Sequence, residues 1–207
     1  MDPTNAGELA ITSYLDGDHG WLREICVRTA ARGEDASGRH RRPELIPLVY
    51  LDPYVVHEPQ LVSVLRRVDL GTPVGYVVAT ADTAAFAAWA ERDWWPALRD
   101  TYRSGARGLT SYDERLIAHF TSPPASDPAV LADYPAHLHI DLLVEARGQG
   151  WGRRLIDDLA GKLRERGIPG VHLEVGAQNT DAQAFYAALG FAELDRAGDG
   201  ITLGRRL

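Results

Sequence analysis

HLHIDLLVEARGQGWGR, residues 137–153, is the stretch on which the reading of this chain turns. Its first half alternates, with Leu138, Ile140 and Leu142 on one side and His137, His139 and Asp141 on the other. Period-two alternation marks a strand with one buried face. Gly148, Gly150 and Gly152 then interrupt the pattern, and a helical one starts at Trp151. Such a turn leaves the first N–H groups of a helix unpaired and lets a ligand come close to the backbone. The partial positive charge of the helix end favours an anion there. The spacing therefore predicts a site for a phosphate-bearing ligand, entered by an acidic strand.

Two common phosphate motifs do not fit. A P-loop needs Lys-Ser/Thr after its last glycine, whereas Gly152 is followed by Arg153 and Arg154. A dinucleotide fingerprint needs G-x-G-x-x-G, and this turn is G-x-G-x-G.

Downstream, Leu155, Ile156, Leu159, Ala160 and Leu163 form the apolar stripe of a helix from Trp151 to Arg166, stopped by Gly167. Val171, Leu173 and Val175 alternate with His172 and Glu174 as a following strand. Thr180 caps a short helix, with Gln183 completing a capping box. Two strands at 191–196 and 201–206 flank a turn at Gly198-Asp199-Gly200.

Upstream, residues 9–14 read as a first strand, and Asp16 or Asp18 starts a helix that carries Trp21, Leu22, Ile25, Cys26 and Thr29. Pro43 opens a second helix, broken up by Pro47 and Pro53. Residues 60–68 and 74–80 form a hairpin around Gly71-Thr72-Pro73, with Gly75 either a close backbone approach or a plain strand glycine. Residues 82–134 then form a long excursion. Asp82 or Thr83 caps a helix that is stopped or kinked at Pro96, a second helical pattern spans Glu114 to Phe120, and a loop spans Ser122 to Pro128. Its aromatics Trp89, Trp94, Trp95, Tyr102 and Tyr112 either line an acceptor pocket or staple the excursion to the body.

Bulk numbers narrow the classes. The 207 residues, 45% hydrophobic and 25% charged, suit one soluble domain with one sizeable core. No apolar run reaches the roughly 18 residues of a membrane span, and the polar start Met1-Asp2-Pro3-Thr4-Asn5 does not resemble a secretory signal. A cytoplasmic protein without membrane partners is expected. A net charge of −7 argues against nucleic acid, whose binding depends on cations that neutralise phosphates. The run Arg39-His40-Arg41-Arg42 is either solvated or available to a phosphate or an acidic partner. The lone Cys26 excludes a disulfide within the chain and a cysteine-based metal site, and no metal is expected.

The turn Arg147-Gly148-Gln149-Gly150-Trp151-Gly152 resembles the R/Q-x-x-G-x-G/A turn of GNAT-type N-acetyltransferases. The series Asn179-x-x-Ala182-x-x-Phe185-Tyr186-x-x-Leu189-Gly190-Phe191 is similar to the closing signature of the same family, at the spacing the family has. Together they are far more specific than either alone. The stretch from Tyr134 to Asp141 and the ending Ile201 to Leu207 further resemble the acetyltransferase-like C-terminal domain of animal O-GlcNAcase, which lacks the cofactor turn that this chain has.

The resemblance implies an α/β (α+β) GNAT fold over residues 1–207: a mixed, mostly antiparallel twisted sheet of about seven strands flanked by helices, with 82–134 inserted before the fourth strand as a wall or lid of the acceptor site. It implies acetyl-CoA as cosubstrate, a primary amine on a small molecule or a protein lysine as acceptor, and a monomer or homodimer. The pyrophosphate would be held by Arg147, Gly148, Gln149, Gly150, Trp151, Gly152 and Arg153. The pantetheine arm would lie along the strand backbone at Leu142, Leu143 and Val144, and Asn179 and Phe185 would complete the cofactor site. Direct transfer needs a donor for the oxyanion, for which the Leu142 N–H is a candidate. It also needs a proton acceptor, because an amine of pKa about 10 is mostly protonated at neutral pH. Asp141 is the candidate base and Glu174 the alternative, with His137 and His139 able to relay the proton. Tyr186 matches the family tyrosine that protonates the departing thiolate. A non-catalytic acyl-CoA-binding or interaction domain is the competing reading, and a nucleotide-binding protein a third.

Overall fold

The computed structural model describes residues 7–102, 108–123 and 127–207. The polar start at residues 1–5 and residues 124–126 of the loop after Ser122 lie outside them. Seven strands form one sheet in the order β1-β2-β3-β4-β5-β7-β6. They are β1 (Leu9–Ser13), β2 (Ser63–Arg67), β3 (Pro73–Thr80), β4 (Ala136–Leu142), β5 (Gly170–Gly176), β6 (Ala192–Ala197) and β7 (Gly200–Arg206). Every pairing is antiparallel except β4 with β5. The expected mixed sheet is therefore observed.

The central strands alternate as their sequence does. Leu138 is buried on one face of β4, while Asp141 lies opposite Tyr76 of β3 on the other. A Cβ on Gly75 would stand 3.0 Å from the Asp141 carbonyl oxygen, so Gly75 is a close approach between β3 and β4. The first face is covered by α8 (Trp151–Glu165), whose stripe Leu155, Ile156, Leu159, Ala160 and Leu163 is buried as its period dictates. The second is covered by α1 (His19–Thr29), α2 (Leu45–Tyr50) and α3 (Asp52–His57). Pro47 does not end α2. It stands in the first turn, where its missing N–H costs nothing, and Pro53 opens α3 in the same way.

The segment before β4 folds as α4 (Thr83–Trp89), a wide turn at Ala90–Trp94, α5 (Trp95–Tyr102), α6 (Ser111–Thr121) and α7 (Pro128–Asp133). Asp82 caps α4 by accepting from the Ala85 N–H. The helix is not stopped at Pro96. Proline cannot donate to the carbonyl four residues back, and the chain widens by one residue through Ala90–Trp94 before resuming as α5.

In the basic run the Arg39, Arg41 and Arg42 side chains are exposed, while His40 and two backbone N–H groups meet an acid. Asp113, fully buried, accepts from the Arg41 and Arg42 N–H groups at 3.0 and 3.3 Å, and His40 Nδ1 lies 3.0 Å from it. Asp113 also closes a capping box with Thr110 at the start of α6. This is how the insertion is fastened to the loop after α1. Burial works to raise the Asp113 pKa, but the hydrogen bonds from Thr110, Arg41 and Arg42 overcome it and pull it down to about 2. A carboxylate with a depressed folded pKa stabilises above its unfolded pKa and loses that contribution as pH falls toward the folded value. Asp113 should thus contribute about 2 kcal/mol above pH ~4, lost progressively toward pH ~2. Urea unfolding of the wild type and Asp113→Asn at both ends of that window checks this. The gap between the two proteins should shrink in acid, and a gap independent of pH would contradict it.

Candidate active site

The β4–β5 pair holds only at Ala136↔Val171 and His137↔His172. Beyond it β4 keeps β3, β5 keeps β7, and the two strands part into a wedge. The Leu143 N–H donates to Val74 O across β3 at 2.9 Å. By the alternation of an antiparallel ladder, His139 and Asp141 turn their N–H and C=O groups toward β3, and Ile140 and Leu142 turn theirs into the wedge.

The wedge opens on the start of α8. Gly148 and Gly150 have φ of +72° and +80°, a left-handed conformation that glycine adopts without strain, and Gly150 is the N-cap. The first intrahelical bond runs from Arg154 N to Gly150 O, so the N–H groups of Trp151, Gly152 and Arg153 face out of the helix end. Gly152 serves packing: a Cβ there would stand 2.9 Å from Phe185 Cζ, where α9 (Thr180–Ala188) crosses α8.

A cavity of about 1590 Å³ runs from this turn through the wedge. It is lined by Leu142, Arg147, Gly148, Gly150, Gly152 and Arg153 at the helix end. Asn179, Phe185, Tyr186, Asp141 and Glu174 line it further along. Four expected residues stand apart. Leu143 is buried with its N–H committed to β3, and Val144 is largely exposed at a tight turn. Gln149 reaches back to Glu145 O at 2.8 Å, and Trp151 packs under Arg154, 4.4 Å from its ring centre. Arg147 is turned inward as a brace, its Nε donating to Leu142 O at 2.8 Å and its Nη2 to Gly33 O. Arg153 donates to Ala188 O at 2.9 Å. Asn179, not Thr180, caps α9 by accepting from the Ala182 N–H, and Gln183 instead donates to Gly176 O and Ala177 O.

Asp141 pairs with neither histidine. Its carboxylate accepts from Tyr76 Oη at 2.6 Å and Thr29 Oγ1 at 2.7 Å. Burial raises its pKa, while the two hydroxyls and the Arg147 charge work to lower it. Thr29 Oγ1 is also 2.8 Å from Ile25 O. When Asp141 takes a proton, the Thr29 hydroxyl can turn to Ile25 O and accept from the new acid, so both protonation states find partners. Tyr186 packs edge-on against Phe185 and Phe191. Its pKa is pushed up by burial and then by the Asp141 charge. At neutral pH it is a phenol with a proton to give. Cys26 is a buried core residue beside the site, its thiol pushed up by burial and by Asp141.

Of the five insertion aromatics, Trp95 lines the cavity. Trp94 donates to Leu48 O, Trp89 stacks on His57, Tyr102 packs on Phe120, and Tyr112 meets His40 and Arg115. Trp89, Trp94 and Tyr112 thus staple the segment to the body, and Tyr102 packs within it. The aromatic wall comes instead from Tyr50, Tyr54, Phe86 and His119. Sequence reasoning missed them because their helices give no local sign of which face meets β4. Among the described residues, no group of three or more His, Cys, Asp or Glu is placed to hold a metal ion, and no helix is long and apolar enough to cross a membrane.

The pattern of the Acetyltransferase (GNAT) family matches residues 34–191. A crystal structure described as SsHAT is 40% identical over 96% of this chain and 98% of its own, with a TM-score of 0.87. PH1933 from Pyrococcus horikoshii OT3 superposes over 97% and 99% of the two chains with a TM-score of 0.60 at 15% identity. The NatC complex bound to Gag peptide and CoA does so over 97% and 99% with a TM-score of 0.56 at 13% identity, a likeness of fold. With a parted β4–β5 pair facing a glycine-rich helix start, and with most of its length matched, this chain belongs to the GNAT acetyltransferase family.

Proposed function

We propose that this chain is an acetyl-CoA-dependent N-acetyltransferase that moves the acetyl group directly to a primary amine. The observation that carries the reading is the shared cavity: the wedge edge of β4, the free N–H groups of the α8 start, Asp141 and Tyr186 all line it. The pyrophosphate takes the N–H groups of residues 150–153, with the helix dipole behind them. The pantetheine arm runs in the wedge as a stand-in for the missing β5 partner, along Ile140 and Leu142. The Leu142 N–H meets the oxyanion, a contribution of roughly 3 kcal/mol for a fixed donor.

The acceptor enters as an ammonium. Transfer of its proton to Asp141 turns two opposite charges into two neutral groups, a step that a poorly solvated site favours. The amine then attacks the thioester, and Tyr186 protonates the departing sulfur. On this reading residues 1–207 work as one acetyltransferase domain, and 82–134 forms one wall of the acceptor chamber through Trp95 and His119. The kinship with the O-GlcNAcase C-terminal domain belongs to the same proposal. Its consequence is a second outcome: cofactor binding without turnover.

The test is acetyl-CoA incubated with a panel of alkylamines, amino sugars and lysine peptides, read by mass spectrometry. A gain of one acetyl group on some amine supports transfer. Binding of acetyl-CoA with no acetylated amine would leave only the cofactor half of the reading.

A further inference from the structure

The acetyl-transfer reading leaves one buried chain of polar groups unused, beside Asp141 on the same face of β4. Thr83 Oγ1 lies 2.7 Å from Pro135 O and 2.7 Å from His137 Nδ1. A carbonyl oxygen can only accept, so the single hydroxyl proton goes to Pro135 and His137 must donate from Nδ1. Burial, reinforced by the neighbouring imidazoles His139 and His172, holds His137 neutral, so its Nε2 carries a lone pair. That lone pair takes the Tyr54 hydroxyl proton at 2.7 Å. With its proton spent, the Tyr54 oxygen can only accept from His139, whose Nε2 is 3.0 Å away. His139 is thereby fixed with its proton on Nε2 and a bare lone pair on Nδ1. No donor among the described residues meets that nitrogen, and the ring lines the cavity. The Tyr54 and Tyr50 rings pack edge-on against it and hold its plane.

Acetylation of an ammonium requires two proton departures. The nitrogen arrives with three protons and the amide keeps one. The first goes to Asp141, as proposed above. A neutral imidazole is a poor acceptor for it: burial pulls His139 down to about 4, and the gap to a free amine of about 10 opposes transfer roughly a millionfold. The second proton sits on the nitrogen of the tetrahedral adduct, a far stronger acid because its loss lets the adduct collapse to a neutral amide. A group that is reliably unprotonated suits that step.

We propose that His139 Nδ1 takes the proton that the acceptor nitrogen loses after the C–N bond has formed, and that Tyr54, His137 and Thr83 are positioning residues that hold His139 in the required tautomer. The N–H bond breaks and Nδ1–H forms. The oxyanion re-forms the carbonyl, the C–S bond breaks, and its electron pair leaves on sulfur. The thiolate takes the Tyr186 proton, which the proton stored on Asp141 replaces. His139 releases its own proton to water in the cavity. This role rests on the acetyl-transfer reading.

The test has two arms. In histidine-¹⁵N-labelled protein at neutral pH, long-range ¹H–¹⁵N spectra should show His137 protonated at Nδ1 and His139 at Nε2. A Tyr54→Phe variant should release His139 into a mixture of tautomers. A wild-type His139 protonated at Nδ1 would overturn the proposal whatever the protein's activity. In the kinetic arm, His139→Gln should lower kcat about 100-fold, and Tyr54→Phe about tenfold, with the Kd for acetyl-CoA unchanged. Wild-type turnover with His139→Gln within twofold of it would also overturn the proposal. A wild type that neither binds acetyl-CoA nor acetylates any amine would instead overturn the acetyl-transfer reading, and the proposal with it.

Discussion

Asp141→Asn is expected to lower kcat about a thousandfold while leaving the Kd for acetyl-CoA within about twofold. The expectation follows from where the carboxylate sits. It faces the cavity, is held by two neutral hydroxyls, and has no cation paired directly against it among the described residues. An asparagine keeps the shape and a hydrogen-bonding role for Tyr76 and Thr29, since a hydroxyl can turn from donor to acceptor. It cannot store a proton. Loss of kcat with intact cofactor binding separates a proton acceptor from a structural carboxylate, which would instead show a lowered unfolding midpoint. A variant with near-wild-type kcat would move the base elsewhere. Glu174, exposed on β5 and lining the same cavity, is then the group to change next.

Gly150→Asp should weaken acetyl-CoA binding at least about 100-fold. Two costs add. A side chain at φ +80° is strained by about 1–2 kcal/mol. A carboxylate at the helix start also opposes the pyrophosphate in the place where the dipole favours it. Gly150→Ala isolates the first cost and should lose roughly tenfold. The control is the fold: among the described residues nothing lies within 4 Å of a Cβ added at Gly150, so Gly150→Ala meets no neighbour. Equal affinities in the wild type and Gly150→Asp would mean that the turn only shapes the strand-to-helix connection.

What could be read in the sequence follows from how local each signal is. β4, the glycine turn and α8 were legible because two periods, two and 3.6, meet at glycines within one continuous stretch. Asp141 stands in that stretch, whereas Tyr186 was singled out by the resemblance of residues 179–191 to the family's closing signature, and both line the cavity. The cap of α9 was misread by one residue, since Asn179 and Thr180 both have capping side chains and only the backbone decides which is used. The wedge itself was not legible. It depends on two strands more than 30 positions apart pairing for two residues and then parting.

The partners of the site were harder still. Thr29, Tyr54 and Thr83 reach β4 from α1, α3 and α4, and nothing in those helices announces which turn will face it. The Arg39–Arg42 run looked like a phosphate or partner site because the acid that its backbone N–H groups and His40 hold, Asp113, lies some 70 positions away. The insertion aromatics looked like a pocket because large rings serve equally for packing, and four of the five pack.

Calorimetric titration of the purified wild-type protein with acetyl-CoA is the measurement to make first. One site per chain with a Kd on the order of micromolar, lost in Gly150→Asp, is the expected result. No binding by the wild type would contradict the assignment of the wedge and the α8 start to the cofactor, and would leave the chain a member of the acetyltransferase family that keeps the fold without the cosubstrate.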